Sequence, residues 1–172
     1  MVGQVYGAHM HRALAAWFFA VVALGLCTAC DPVGTVGCDK PFAEPIDPNS
    51  SQHLLPGVRE PRYLTNPPTS GAHRPGTYAT GVVASPIARP EQVTLLEQGE
   101  VLVQYKAAST STRADLRRFV HKTAHVTVAP NASLRSPIVV TAWLWKMNCR
   151  AFSDSALRDF VKAHQPAQPV SG

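Results

Sequence analysis

Two stretches, Glu100-Val-Leu-Val-Gln-Tyr-Lys106 and Ile138-Val-Val-Thr-Ala-Trp-Leu-Trp145, decide how this chain folds. In the first, Val101, Val103 and Tyr105 alternate with Leu102 and Gln104, the period-two pattern of a strand. The second is a long apolar run rich in β-branched and aromatic residues, which predicts one central strand. Trp143 and Trp145 would then share a face, in the core or along the wall of a groove. Between the two, Ser111 to His121 places Leu116, Phe119 and Val120 at helical spacing behind a Ser/Thr cluster, so a short amphipathic helix is expected. Val126-Thr-Val128 reads as a further strand ending at Pro130, with a loop over 130–136. Beyond the second stretch, Ser153 can cap a helix from Asp154 to about Lys162, with Phe152 placed to staple onto Leu157. Leu157, Phe160 and Val161 would face inward. The order β, α, β, β, α predicts an α+β fold: a small, mainly antiparallel sheet with two helices on one face.

Working outward, residues 53 to about 90 carry Pro56, Pro61, Pro67, Pro68, Pro75, Pro86 and Pro90, which forbid regular helix and spoil central strands. A loop of that length is expected to cover a core or build a site. Residues 30–52 are Pro-rich and polar with little to bury, and read as a tether. The single domain is thus expected over 53–165, with a flexible tail over 166–172. With 172 residues, 45% of them hydrophobic and 16% charged, the chain has room for one domain and is too apolar to be a disordered tail.

Residues 1–29 have no acid and one Lys or Arg, Arg12, followed by an apolar run from Ala13. That run is about fifteen residues long, short of the ~20 that cross a bilayer as a helix, so it reads as a secretory signal. Thr28-Ala-Cys30 resembles the end of a bacterial lipobox, which makes Cys30 the candidate site of diacylation; Cys27 departs from the usual leucine there. The competing reading is ordinary cleavage after Ala29. Either way the expected location is exported, and with Cys30 acylated, anchored at the periplasmic side of the bacterial cell envelope. Loss of Arg12 leaves 15 basic against 11 acidic residues, with no basic stripe interleaved with aromatics, so nucleic acid is not an expected partner. The expected partners are the membrane, through the acyl anchor, and an envelope protein.

Of four cysteines, Cys27 leaves with the signal and Cys30 takes the lipid, so an exported chain would pair Cys38 with Cys149 in a disulfide. Closing a loop of that size contributes on the order of 4 to 5 kcal/mol in chain entropy. The mature residues hold no C-x-x-C, so thioredoxin-like redox chemistry is not supported.

The densest candidate for chemistry is Asn66-Pro-Pro-Thr-Ser-Gly-Ala-His73. Two prolines stiffen the entry, Gly71 permits a tight turn and His73 projects from a held backbone, suited to a ligand or a proton carrier. His73 could equally do no more than hydrogen-bond loop carbonyls. Ser70 lacks the G-x-S-x-G elbow of a nucleophile and is expected to make a turn hydrogen bond. His121 and His125 stand at i, i+4, but the strand at Val126 should end the helix between them and separate the rings.

Tyr63 to His73, Leu96-Glu-Gln-Gly99, Val128-Ala-Pro130, Thr141-Ala-Trp143 and Asp159-Phe-Val161 together resemble the bacterial domain-of-unknown-function family 3105, over about residues 53 to 165. The resemblance implies an exported or membrane-anchored protein without an established activity. It also implies histidines at positions 53 and 73 and a His-x-Leu-Glu-His-Gly segment, a set suited to a divalent transition metal. Here that segment is Thr94-Leu-Leu-Glu-Gln-Gly99, so Thr94 and Gln98 replace both of its histidines. His53, His73 and Glu97 remain as the candidate metal ligands. Three readings follow: a non-catalytic binding domain on an envelope lipoprotein, a metal-binding protein or metal-dependent enzyme using those three residues, and a degenerate relative that keeps the fold without the site.

Overall fold

The computed structural model describes Gly3 and residues 37–165. The signal over 1–29, Cys30, the first part of the tether and the tail over 166–172 lie outside the described residues. The elements are β1 (Phe42–Ala43), α1 (Arg89–Glu97), β2 (Val101–Tyr105), α2 (Thr110–His121), β3 (Val126–Pro130), β4 (Ile138–Ala142), β5 (Trp145–Cys149) and α3 (Asp154–His164). The strands form one sheet in the order β1-β5-β4-β2-β3. Only β2 and β3 run parallel, because α2 connects them as a crossover; the other three pairings are antiparallel. The chain is therefore α+β with a mainly antiparallel sheet, as its patterning predicts. Among the described residues no helix is long and apolar enough to cross a membrane.

The alternation in β2 sorts its side chains onto two covered faces. Val101 and Val103 join Val126, Val128, Val140 and Met147 under Leu116 and Phe119 of α2 and Leu157 and Phe160 of α3. Each such side chain contributes roughly 1.5–3 kcal/mol by leaving water. Both helices start as their sequences suggest: the Ser109 side chain accepts from Thr112 N–H, and the Ser153 side chain from Ala156 N–H.

The expectation of two helices on one face needs correction. A third helix, α1, lies on the opposite face, where Leu95 and Leu96 pack on Leu102. Pro90 sits in its first turn, where a missing N–H costs nothing, so the residue read as a breaker is a starter. Buried Gln92 and Thr94 blur the apolar period, which hides the helix from pattern reading. Its end is a Schellman motif: Gly99 at φ +89° donates to Leu96 O at 3.1 Å and Glu100 N–H donates to Leu95 O at 2.9 Å.

The apolar run from Ile138 to Trp145 is likewise not one strand. It folds into the hairpin β4-β5, closed at the pair Ala142 and Trp145, with Leu144 at φ +62°. Leucine is strained there by about 1–2 kcal/mol, and its neighbours hold it in place. Leu144 N–H donates to Thr69 O at 3.1 Å, and Glu44 N–H donates to Leu144 O at 2.8 Å. Trp143 consequently packs with the α1 cluster and Trp145 against the α2–α3 core, rather than side by side on one strand.

Of the residues that composition assigns to the tether, 38–44 lie along the sheet edge, and Asp47 and Gln52 bond to the His73 loop. Cys38 and Cys149 form the expected disulfide, 111 residues apart in sequence, and β1 pairs with β5. At the other edge, Val82 bridges Val128, so both edges are covered. The segment from 53 to 88 has no helix or named strand; it bonds to α1 through Arg74 O and Gly76 O and reaches the β3 edge at Val82.

Candidate functional site

The Asn-Pro-Pro-Thr-Ser-Gly-x-His stretch is tied mostly to segments outside itself and ends on His73. Ser70 does not make the expected turn bond: its Oγ accepts Asp47 N–H at 2.9 Å, from a segment 23 residues away. Asp47, 4% exposed, accepts in turn from Asn49 N–H at 2.9 Å. Gly71 has φ +131°, and a Cβ there would meet Tyr63 Cδ1 at 2.8 Å, so the ring of Tyr63 lies where only glycine fits. The Tyr63 hydroxyl donates to Ala72 O at 2.7 Å, and burial, reinforced by Glu60, pushes it well above the ordinary tyrosine range. His73 N–H donates to Gln52 O at 3.0 Å while His73 O accepts Leu54 N–H at 2.7 Å, which ties the stretch to the 52–54 segment.

His73 itself is 1% exposed. Its Nδ1 lies 3.1 Å from Gly71 O; a carbonyl only accepts, so Nδ1 carries the proton. Nε2 lies 2.8 Å from Glu97 Oε2, within ion-pair distance, and makes no aligned hydrogen bond. Half of the Glu97 side chain is exposed, so the carboxylate roofs the imidazole and faces solvent. The His53 ring, exposed, stands edge-on to His73 with centroids 4.9 Å apart. The fold thus gathers His53, His73 and Glu97 from three separate segments.

An imidazole held through Nδ1 by a backbone carbonyl presents Nε2 in the orientation of a metal ligand. His73 Nε2 and the Glu97 carboxylate are the two donors that would be offered to such an ion. As they stand, no three His, Cys, Asp or Glu side chains among the described residues are grouped to hold an ion, so a third ligand needs His53 to turn. Thr94 and Gln98 have other work. Thr94 Oγ1 donates to Arg74 O at 2.6 Å, and Gln98 Nε2 donates to Gly76 O at 2.9 Å, which stitches α1 to the loop.

The second histidine pair is separated, as the strand at Val126 predicts. α2 ends at His121, and His125, at φ +54°, places Nδ1 3.5 Å from Glu100 Oε1.

Two features escape sequence reasoning. One is a buried ion pair, Lys146 Nζ to Glu44 Oε1 at 2.8 Å, with both side chains under 10% exposed. It floors a cleft of about 580 Å³ whose rim includes Arg89 and Arg135. Burial pulls Lys146 below the ordinary lysine range against the pull of Glu44. A lysine within an apolar strand hints at such a partner, but Glu44 lies a hundred residues away in a stretch that reads as linker. The other is a cleft of about 590 Å³ beside Glu97, walled by Trp143, Trp145 and His164. Trp145 and His164 stack at 4.2 Å with 24° between their planes.

No curated protein and no solved structure matches this chain. One family model does, described as a protein of unknown function (DUF3105), over residues 58–172, a span that holds His73 and Glu97 and leaves His53 just outside. With two thirds of its length matched, including the loop around His73 and the whole sheet after β1, the chain belongs to the DUF3105 family of proteins of unknown function.

Proposed function

We propose that the chain is an exported lipoprotein of the bacterial cell envelope, anchored by an acyl group on Cys30, whose domain binds a ligand or an envelope partner without transforming it. The observation that carries the non-catalytic part is the state of His73. It is sealed under Glu97 and fixed through Nδ1 to its own loop. The hydroxyl nearest in sequence, Ser70 Oγ, is engaged with the Asp47 backbone, so no nucleophile and base pair is assembled. Export is supported by the Cys38–Cys149 bridge, a bond that persists in oxidising compartments.

A second reading, a divalent transition-metal site on His53, His73 and Glu97, is favoured by the buried Nε2 of His73, which lies beside Glu97 without an aligned hydrogen bond. One preparation tests both readings. The protein is extracted from membranes without chelator, its N-terminal peptide is weighed by mass spectrometry, and its zinc, copper and iron are counted beside His73→Ala. The binding-lipoprotein reading expects a diacylated Cys30 and no bound metal in either protein. An N-terminus at Asp31, or at a Cys30 that carries no diacylglycerol, overturns the anchor, and stoichiometric metal lost in His73→Ala replaces the first reading with the second.

A further inference from the structure

The cleft beside Glu97 is built at the place where two helices end. α1 stops at Glu97 and α3 at His164, and the β4-β5 turn brings Trp143 and Trp145 between them. Four features of this cleft share one sign. The C-terminal end of each helix carries a partial negative charge. Glu97 adds a full carboxylate, half exposed, with one oxygen turned to His73. The Trp143 indole and the Trp145 face that His164 does not cover offer the negative side of their quadrupoles. No lysine or arginine lines the cleft, and burial holds His164 below the ordinary histidine range, so its ring adds no charge at neutral pH. Leu96 supplies an apolar floor.

The geometry points to a small organic cation, an alkylated ammonium with apolar substituents, as the ligand of this cleft; we propose that it sits against Trp143 and Trp145 with its charge toward Glu97. A metal ion suits the place poorly, because one carboxylate and two indoles do not make the oxygen or nitrogen shell that a hard or borderline cation demands. An alkylated ammonium is weakly hydrated, gives up little on leaving water, and is held by ring faces together with a carboxylate. This inference names the ligand class for the binding-domain reading above and rests on that reading.

The sequence supplies a convenient reporter. Of three tryptophans, Trp17 lies in the signal segment and the other two are Trp143 and Trp145, so in a Trp17→Phe chain all indole emission comes from this cleft. The full-length Trp17→Phe protein is titrated with choline chloride, with sodium chloride as the ionic control and 3,3-dimethyl-1-butanol as the neutral isostere. The expected result is a saturable change in emission with choline, and roughly tenfold weaker binding of the isostere, the share contributed by the charge. Glu97→Gln should weaken choline by about the same factor. Equal binding of the isostere, or no saturable response to choline in the Trp17→Phe protein, overturns the proposal. Neither of those readings needs a substitution in the cleft, so a misfolded variant cannot obscure them. A diacylated Cys30 without a choline response removes this ligand class and leaves the binding-domain reading in place.

Discussion

The two faces of the sheet are held by different physics. On the α2–α3 face, valines, leucines and phenylalanines form one continuous dry cluster from Val101 to Phe160, closed at one edge by Cys38–Cys149. On the α1 face, Leu95, Leu96 and Leu102 are a small island. Around it the chain buries Asp47, Ser70, His73, Gln92, Gln104 and Lys146. Gln104, for example, is satisfied twice, donating to Gln92 Oε1 at 3.0 Å and accepting from Asn131 Nδ2 at 2.6 Å. An apolar cluster degrades gradually under substitution. A buried polar network loses far more when one member goes, because the remaining partner pays its desolvation without return. The fold is thus secured on one face and specified on the other; the His73 site lies with the specified face, and the tryptophan cleft draws its walls from both.

The largest effect should come from breaking the buried pair. Glu44→Gln strands Lys146 without a counter-charge and should cost about 3–5 kcal/mol in urea unfolding. Leu157→Met on the opposite face should cost less than about 1.5 kcal/mol. Replacing both partners, Glu44→Leu with Lys146→Met, should restore stability to within about 1 kcal/mol of the native chain or better it. If Glu44→Gln proves as mild as Leu157→Met, the contrast between the faces is gone.

A smaller effect should follow at the His73 loop. Gly71→Ala forces a Cβ against Tyr63 at φ +131° and should cost about 1–3 kcal/mol. Gly57→Ala, at φ +79° but with open space around it, shares the backbone penalty and lacks the collision, so it should cost less. Equal losses would show that the loop yields around Tyr63.

The smallest effect should be a pH dependence at α3. Burial lowers the pKa of His164 in the folded chain, so the unfolded chain takes up its proton first as pH falls. The stability contributed by neutral His164 is full above the ordinary histidine value near 6.5 and declines as pH drops from there toward the lowered folded value. Unfolding midpoints at pH 7.5 and 5.5, compared with His164→Asn, should differ more in the native chain than in the variant. An identical pH response in the two would remove His164 from the account.

How much was legible in the sequence differs between the same two faces. β2, β3, α2 and α3 stand within a residue or two of where their periodicity puts them, because on the α2–α3 face burial is hydrophobic and burial is what periodicity reports. α1 was missed, since its buried positions include Gln92 and Thr94 and its first turn holds a proline. The β4-β5 turn was missed because Trp143-Leu144 carries none of the usual turn residues; Thr69 and Glu44 impose it from far away in sequence. His53, His73 and Glu97 are named from the family pattern; the structure sets Glu97 and the His53 ring each against His73 without grouping the three as ligands. What each does in the fold was not legible, because the partner of His73 Nδ1 is a carbonyl, and carbonyls have no signature in sequence.

The sequence by itself determined the α+β class, the hydrophobic face with its two capped helices, and the cysteine pair, all of which follow from patterns that are local or from counting. Only the tertiary structure decided that β1 and the Glu44 segment join the sheet, that Lys146 finds Glu44, that His73 lies under Glu97, and that Trp143 and Trp145 line one cleft with the ends of α1 and α3. Each of these depends on polar or backbone contacts between segments far apart in the chain. Such contacts are fixed by geometry once the apolar face has formed, and no periodicity in the sequence announces them.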